Sequence, residues 1–476
     1  MARRAVGKHR APRGGRGPVT ALKSPRRRRT ILPDVAIRIV ESRQPLRDPA
    51  VLAVRDTLRA GGLVAARAGA ADVRAAVAET IADVEARGDQ AVIDLTARIE
   101  KVPLTPATMR VEAGKLAAAA EAEPKFLALV RRAAGNVRDY QQAILHRDGP
   151  PLRRGGRTLG VRYTPLGRVG VFVPGGGGSG AVLVSTMLMT IVPAQVAGVG
   201  EIALVCPPTV GGDVSPLVLA VAAELGVGEV WRVSGTAGIA ALAIGTPGIR
   251  RADKIVGPGN AFVTEAKRQL FGRVGIDSLA GPSEVLIVAD DTAEPEWLAA
   301  DMLAQAEHDP GSAVLVTPSR KLAEAVAGAI ERQLPALERA AAIRRALERY
   351  SAIVVVADLT SACAVADEFA TEHLQIVTGD DEGCLARIRD AGAIFVGPHT
   401  PVPLGDYYAG PSHVLPTGGT ARFFSPLSCN EFLKASSVVR YDAASLAADA
   451  ADVIDFAARE GLTAHANAVR VRVGKK

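Results

Sequence analysis

The spacing of apolar residues changes along the chain, and the change predicts two kinds of structure. Over residues 49–147, apolar residues recur every three or four positions with charges between them, which is typical of amphipathic helices. Further along, short β-rich apolar runs alternate with helix-like segments. The runs span residues 168–174, 201–206, 229–233, 284–289, 313–316, 352–357 and 393–396. This alternation predicts an α/β fold with two mostly parallel sheets, followed by a helical end over roughly residues 442–469.

A chain of 476 residues is too long for one hydrophobic core, so at least two domains are expected. The net charge of +7 comes from an arm at the start of the chain. Residues 1–30 hold 11 Lys or Arg and no Asp or Glu, which leaves 46 bases against 50 acids elsewhere. Such a block is typical of a solvated, disordered tail. Nucleic-acid contact is also conceivable, although the arm lacks aromatic residues for base stacking. A transit-like segment and a start codon placed too early also remain open.

An uncharged run over residues 171–200 raises the question of a membrane span. The run contains Pro174, five glycines between positions 175 and 180, and Pro193, so a strand, a glycine loop and a buried helix explain it better. We therefore expect no membrane span. The cysteines are widely spaced without a CxxC pair, which argues against a disulfide framework or a thiolate zinc site and predicts a cytoplasmic, reducing location. They are Cys206, Cys363, Cys384 and Cys429.

Two glycine turns are candidates for a dinucleotide site. Gly175, Gly177 and Gly180 form a GxGxxG pattern between a strand and a helix, where backbone amides can approach a phosphate. The acidic residue that usually ends the second strand is absent, and Cys206 occupies that place. The second turn ends at Asn260, at the start of a predicted helix. Its amide would reach a ligand there or would cap the helix.

The predicted helix from Pro295 to Pro310 places Gln305 and His308 on one face, three residues apart. A pair at this spacing can offer two ligands to one metal ion, although a neutral amide is a weak ligand. Further along, Glu372 and His373 end a helix immediately before an apolar strand. An acid beside an imidazole suits proton transfer, and two polar residues at a helix end are the plainer interpretation.

Two more segments contain candidate residues. A loop rich in glycine and proline contains Asp406 and His413, and loops of this composition often have functional roles. Glu460 and His465 lie near the C-terminus, where a histidine is ordinarily solvated. Together the candidates provide nitrogen and oxygen ligands for a metal, a separate Glu–His pair for acid–base chemistry, and a glycine-rich face for a dinucleotide.

From about Arg168 to Val473, the sequence resembles the histidinol dehydrogenase family. The similar segments are residues 253–267 (DKIVGPGNAFVTEAK), 280–285 (AGPSEV), 305–308 (QAEH), 372–374 (EHL), 405–407 (GDY), 413–417 (HVLPT) and 462–465 (LTAH). The resemblance implies a four-electron oxidation of L-histidinol, through its aldehyde, to L-histidine, with one zinc ion per subunit and two NAD used in turn. It implies His373 as general base and Glu372 as the group that activates water.

The resemblance also assigns binding residues. It implies that zinc is bound by Gln305, His308, Asp406 and His465. The implied substrate contacts are these four residues together with Ser283, His373, His413 and Glu460. The positions that contact NAD in the family are Phe172, Ala237 and Asn260 here.

The family pattern implies an intertwined homodimer with shared active sites, built from two incomplete Rossmann-like domains with small helical appendages at both ends. The expected divisions are a basic arm (1–34), an N-terminal appendage (35–65), a catalytic domain (66–171 with 284–427), an inserted NAD-side domain (172–283) and a segment that crosses to the partner subunit (428–476).

This sequence departs from the family mainly on the cofactor side. Phe172 replaces a common Tyr, Ala237 replaces a common Gln, and Ala370-Thr371 replaces a common Gly-Pro. These changes leave open a related zinc- and NAD-dependent enzyme that oxidises another small amino or sulfonated alcohol. The sequence also leaves open a nucleic-acid-binding protein that uses the arm, and a catalytically silent relative of the family.

Overall fold

The structure is a computed structural model that describes residues 37–62, 70–175, 183–209, 211–308 and 310–474. The predicted basic arm and Gly177 and Gly180 of the first glycine turn lie outside these residues. In chain order, the α-helices are α1 (Pro49–Gly62), α2 (Ala70–Arg87), α3 (Asp89–Glu100), α4 (Ala113–Ala122), α5 (Pro124–Ile144), α6 (Ser185–Ala197), α7 (Pro216–Glu224), α8 (Gly235–Ile244), α9 (Ala261–Leu270), α10 (Pro295–Ala306), α11 (Arg320–Gln333), α12 (Ala340–Tyr350), α13 (Leu359–Phe369), α14 (Asp381–Leu385), α15 (Val402–Tyr407), α16 (Ala443–Arg459) and α17 (Thr463–Val473).

The strands form three sheets. They are β1 (Arg38–Glu41), β2 (Leu152–Arg154), β3 (Arg157–Pro165), β4 (Arg168–Phe172), β5 (Glu201–Val205), β6 (Val230–Trp231), β7 (Lys254–Val256), β8 (Gly275–Ile276), β9 (Ser283–Ala289), β10 (Gly311–Thr317), β11 (Ala352–Val355), β12 (His373–Val377), β13 (Ala393–Val396) and β14 (Leu433–Tyr441). The two parallel sheets that the apolar runs predict are confirmed.

The first sheet has the strand order β1-β11-β10-β9-β12-β13, and all neighbouring strands are parallel. Its central strands are buried on both faces, so their sequences are continuous apolar runs rather than alternating ones. Helices α10, α11 and α12 cover one face, and α1 and α13 cover the other. The segment predicted as an N-terminal appendage thus supplies an edge strand and a covering helix to this sheet.

The second sheet has the order β6-β5-β4-β7-β8 and is also parallel. Helices α4 to α7 pack on one face, and α2, α3, α8 and α9 pack on the other. The prediction that residues 66–171 join residues 284–427 in one domain is wrong for these helices, because the apolar faces of α2 to α5 are buried against the second sheet. Amphipathic spacing shows that a helix face is buried but not which sheet covers it.

A third, antiparallel sheet was not expected from the sequence. It has the order β14-β3-β2, and β14 pairs with β3 over nine residues. Helices α16 and α17 follow β14 and form a hairpin, so the predicted helical end is confirmed, and β14 lies directly before it. In the described part of the chain, no helix is both long and apolar enough to cross a membrane.

Candidate active site

The candidate residues meet at the amino ends of the central strands of the first sheet. Ser283 begins β9 and His373 begins β12, and these two strands are parallel neighbours. Helix α10 runs back along the sheet, so Gln305 in its last turn lies just before the amino end of β10. Open α/β sheets usually place ligands at the carboxyl ends of their strands, so this sheet departs from the common arrangement.

Glu372 is buried and its carboxylate is held from two sides. Its Oε2 accepts hydrogen bonds from the Ser283 hydroxyl at 2.6 Å and from the main-chain amide of Glu284 at 2.9 Å. Burial raises the pKa of Glu372, while the positive charge of His373 and the hydrogen bond from Ser283 oppose that rise. Gly392 allows this packing, since a Cβ there would lie 2.5 Å from the carbonyl oxygen of Glu372.

His373 lies between carboxylates. Its Nδ1 is 3.2 Å from the carbonyl oxygen of Glu284 and 3.5 Å from Oε2 of Glu372, and its Nε2 is 3.6 Å from Oδ1 of Asp406. Burial acts to lower the pKa of His373, but the negative charges of Glu372 and Asp406 outweigh it and raise the pKa to about 9. The buried Nε2 makes no hydrogen bond among the described residues, so it is available to a group bound in front of Asp406.

Three of the four residues expected to bind zinc, Gln305, His308 and Asp406, belong to this part of the structure, whereas His465 does not. Helix α10 ends at Ala306, so His308 lies just beyond the helix and not on it as predicted. Gln305 is buried, and its Nε2 has no hydrogen-bond partner within the described chain. Rotating this amide would put its carbonyl oxygen where the unpartnered Nε2 now lies, and a carbonyl oxygen suits a cation. Gly311 is required here, because a Cβ would lie 2.2 Å from the carbonyl oxygen of Gln305.

The charges around Asp406 indicate that His308 and His413 lie near it. Burial opposes ionisation of Asp406, yet the pKa of its carboxyl is lowered by His373 and by the charges of His413 and His308. Considering only His, Cys, Asp and Glu, no group of three or more in the described ranges is placed to hold a metal ion. Gln305, His308 and Asp406 therefore fit a cation only as an incomplete set that needs a further ligand.

His413 is fixed by neighbours on both ring nitrogens. Its Nδ1 is 2.9 Å from the carbonyl oxygen of Asp406, and its Nε2 is 3.3 Å from the Thr186 hydroxyl of α6. Burial lowers the pKa of His413. Since α6 belongs to the helices of the second sheet, this histidine lies where the two parallel-sheet units face each other.

Glu460 and His465 are not brought to this site within the chain. Both are exposed on the hairpin of α16 and α17, and neither forms a hydrogen bond or an ion pair with the site residues described here. The same C-terminal segment also contains exposed apolar residues. Val439, Phe456 and Val471 each expose about two thirds of their surface.

On the second sheet, the turn before α9 is fixed by a buried ion pair. Lys267 pairs with Asp277, both side chains are 3% exposed, and Lys267 Nζ donates to the carbonyl oxygen of Gly257 at 2.9 Å. The amide of Gly257, whose φ is +114°, donates to Oδ2 of Asp277 at 2.7 Å. The pair thereby holds the glycine turn against β8.

The three positions expected to contact NAD differ in accessibility. Asn260 is exposed, and its Oδ1 caps α9 by accepting from the amides of Phe262 and Val263 at 3.0 and 3.1 Å. Phe172 and Ala237 are buried in the apolar cluster beneath the sheet, so neither side chain is open to a ligand in this conformation. The helix start at Asn260 remains suited to a phosphate.

Sequence reasoning missed Glu284 and the Lys267–Asp277 pair. Glu284 lies at the start of an apolar run, directly after Ser283, and it precedes Val285 as Glu372 precedes His373, the residue paired with Val285. A charged residue at the end of a buried strand was the available signal. The spacing of Lys267 and Asp277 gives no indication that they form an ion pair, because Lys267 lies in helix α9 and Asp277 directly follows strand β8.

Comparisons with known proteins cover nearly the whole chain. A sequence profile described as histidinol dehydrogenase matches residues 65–473. The chain is 46% identical to a histidinol dehydrogenase from Rhodopirellula baltica, over 93% of this chain and 98% of that one. It is 47% identical to one from Geobacillus kaustophilus, over 86% and 95%. The crystal structure of histidinol dehydrogenase from Elizabethkingia anophelis superposes with a TM-score of 0.84 at 30% identity, over 92% and 98%.

Proposed function

Because the chain belongs to the histidinol dehydrogenase family, we propose that it oxidises L-histidinol through L-histidinaldehyde to L-histidine, the last steps of histidine biosynthesis. The observation that supports this reaction is the buried Glu372–His373 pair beside Asp406. Two successive oxidations at one place need a base for the alcohol proton and a base for a water molecule. Two adjacent titratable side chains can divide these tasks.

His373 removes the hydroxyl proton of the alcohol in the first half. Its Nε2 is the nitrogen without a hydrogen bond, and it points toward Asp406, where the carbinol would be bound. Neutralising Asp406 with a cation would remove one of the two carboxylates that raise the pKa of His373, which favours the neutral imidazole that accepts a proton. Glu372 then takes a proton from water as the water oxygen attacks the aldehyde carbon.

Zinc and NAD are the cofactors that we propose. Gln305, His308 and Asp406 would hold zinc, with His465 of the partner subunit as the further ligand, and zinc would anchor the substrate nitrogens and orient the carbinol. NAD bound at the glycine turns and Asn260 would accept a hydride in each half. Ser283 and His413 would contact the substrate, and Glu460 of the partner subunit would pair with its ammonium group.

The C-terminal segment supports the homodimer. Its apolar side chains Val439, Phe456 and Val471 are exposed in a single chain, and large apolar side chains that are exposed on one segment are expected at an interface. In a dimer, the hairpin of each chain would place its Glu460 and His465 at the site of the other chain, which lacks them. The four cysteines are free and buried, in keeping with a cytoplasmic enzyme.

The test is the stoichiometry of NADH formed per L-histidinol consumed, with and without a zinc chelator. Two NADH per histidinol, lost on chelation and restored by zinc, is the expected result. One NADH per histidinol would contradict the second oxidation. A purified protein that binds zinc but leaves histidinol unchanged would favour a related alcohol as substrate, to be found by screening small amino and sulfonated alcohols.

A further inference from the structure

Glu284 is a buried acid whose carboxyl, main-chain amide and carbonyl groups contact the proposed catalytic pair, Glu372 and His373. It is 1% exposed, and its Oε1 accepts hydrogen bonds from the amides of Glu372 at 3.3 Å and Gly418 at 2.9 Å. Its own amide donates to Glu372, and its carbonyl oxygen faces His373. Glu284 thus contacts both members of the pair without reaching the place where substrate would bind.

The surroundings of Glu284 favour its uncharged form. In the described part of the chain, no Lys or Arg pairs with its carboxyl group, and the charged groups that face it are Glu372 and His373, at the start of β12. Burial and then the charge of Glu372 raise the pKa of Glu284 to about 8. The carboxyl group of Glu372 also accepts two hydrogen bonds, from the Ser283 hydroxyl and the Glu284 amide.

Glu284 also connects the pair to the loop that contains His413. Gly418 ends that loop and donates to Glu284, while the neighbouring Thr417 hydroxyl accepts from the amide of Gly281 at 2.6 Å. The loop is therefore attached to the start of β9 at two points, one of which is the Glu284 carboxyl. Moving this carboxyl would shift the backbone of Glu372 and the end of the loop together.

We propose that Glu284 is a positioning residue for the second oxidation. Its carboxyl oxygen accepts one hydrogen bond from the amide of Glu372 and one from the amide of Gly418, and it thereby fixes the backbone of the residue that activates water. The inference rests on the proposed function, since it acts through the role given there to Glu372. It predicts that a neutral side chain of the same shape preserves the activity when it replaces Glu284, whereas a shorter or apolar side chain does not.

The experiment compares Glu284→Gln, Glu284→Asp and Glu284→Met in the two halves of the reaction. The second half is followed as NAD-dependent oxidation of L-histidinaldehyde, and the first half as NADH-dependent reduction of the same aldehyde to histidinol, which needs no attacking water. Glu284→Gln keeps both amide contacts, so both rates should stay within about threefold of wild type. Glu284→Asp and Glu284→Met should lose at least about tenfold in kcat of the second half, the equivalent of one hydrogen bond.

In these two variants, the KM for the aldehyde and the rate of aldehyde reduction should change by less than about threefold, since Glu284 does not touch substrate. The kcat of Glu372→Gln in the second half is the reference value for complete loss of water activation. Glu284→Asp keeps a polar group and is available if the methionine variant does not fold. A second half that is slow in Glu284→Gln would overturn the inference, because the acid itself would then be required.

Equal losses in both halves would also overturn it, since they indicate a general structural role, and so would full activity of Glu284→Asp. The activity of the wild-type protein distinguishes failure of the proposed function from failure of the inference about Glu284. If wild type acts on histidinaldehyde in neither direction, the proposed function fails and the inference fails with it. If wild type is active and the variants behave as wild type, only the inference fails.

Discussion

Glu284 and Glu372 hold each other in place, because the main-chain amide of each donates to the carboxyl group of the other, at 2.9 and 3.3 Å. Each of the two residues directly precedes one member of the pair Val285–His373, where the parallel strands β9 and β12 lie side by side. Two carboxyl groups are thereby enclosed in one buried space without a Lys or Arg partner among the described residues, and the energetic cost of ionising both has measurable consequences for stability.

The stability of the protein should fall with rising pH because of Glu284. Its pKa rises from the usual 4.5 to about 8 on folding, so the folded state binds the proton more tightly than the unfolded chain. This contribution is fully present below the unfolded pKa and is lost as the pH rises through the folded pKa. Between these limits, wild type should lose up to about 1.4 kcal/mol per pH unit relative to Glu284→Gln. Denaturant unfolding of both proteins at several pH values measures this, and parallel pH profiles would contradict it.

Replacing Ala370 with Gly should stabilise the fold. Ala370 directly follows α13 as its C-terminal cap, with φ of +52°, the left-handed region that costs a side-chain-bearing residue about 1 kcal/mol. The gain in unfolding free energy should be of that size, measured by denaturant titration. Ala366→Gly, inside the same helix, should instead destabilise by about 1 kcal/mol or more. A loss of stability in Ala370→Gly would show that the strain is absent.

Replacing Gly311 with Ala should weaken zinc retention. The new methyl group would lie 2.2 Å from the carbonyl oxygen of Gln305 and 2.7 Å from that of His308, so both proposed ligands must move. Zinc content after dialysis against a mild chelator should fall, reflecting a loss of at least about tenfold in affinity. Gly135→Ala is the matched control, because a methyl group in that part of α5 meets no atom within 4 Å. Unchanged zinc content in Gly311→Ala would argue against these ligands.

Shared sites can be tested by mixing two inactive variants. His465→Ala should lose zinc and His373→Ala should lose the base, so each is inactive alone. In a dimer formed from one chain of each, one site receives an intact His373 and an intact His465. After subunit exchange at equal amounts, about one quarter of wild-type activity should return. No recovery, with exchange verified by mass spectrometry, would exclude a site built from two chains.

Buried parallel strands were predictable because both of their faces are apolar. The run over residues 284–289 became β9, and the run over 393–396 became β13 with identical ends. Strand β14 was not found, because eight of its nine residues are exposed and its sequence lacks an alternating pattern. The sequence also did not indicate which sheet α2 to α5 pack against, because helical spacing identifies an apolar face but not the element that buries it.

Only some residues of the candidate site could be predicted from the sequence. Glu372 and His373 stand out as charged neighbours at the start of an apolar strand, and the structure places His373 beside Asp406 at 3.6 Å. Glu284 has the same sequence signal but was not selected, since its contacts depend on the register between β9 and β12. That register is a tertiary property, because it is set by packing of strands nearly 90 residues apart.

The placement of the site at the amino ends of β9 and β12 leaves the opposite rim of the first sheet without assigned chemistry. The turn at Gly379, which follows β12, is exposed there, and its amide donates to Asp290 at 3.0 Å. A five- to seven-residue strand separates this rim from the site by roughly 20 Å. A peptide tag or a fluorescent reporter inserted at Gly379 would therefore sit far from the reacting groups, and this rim is the place to attach the enzyme to a support without blocking it.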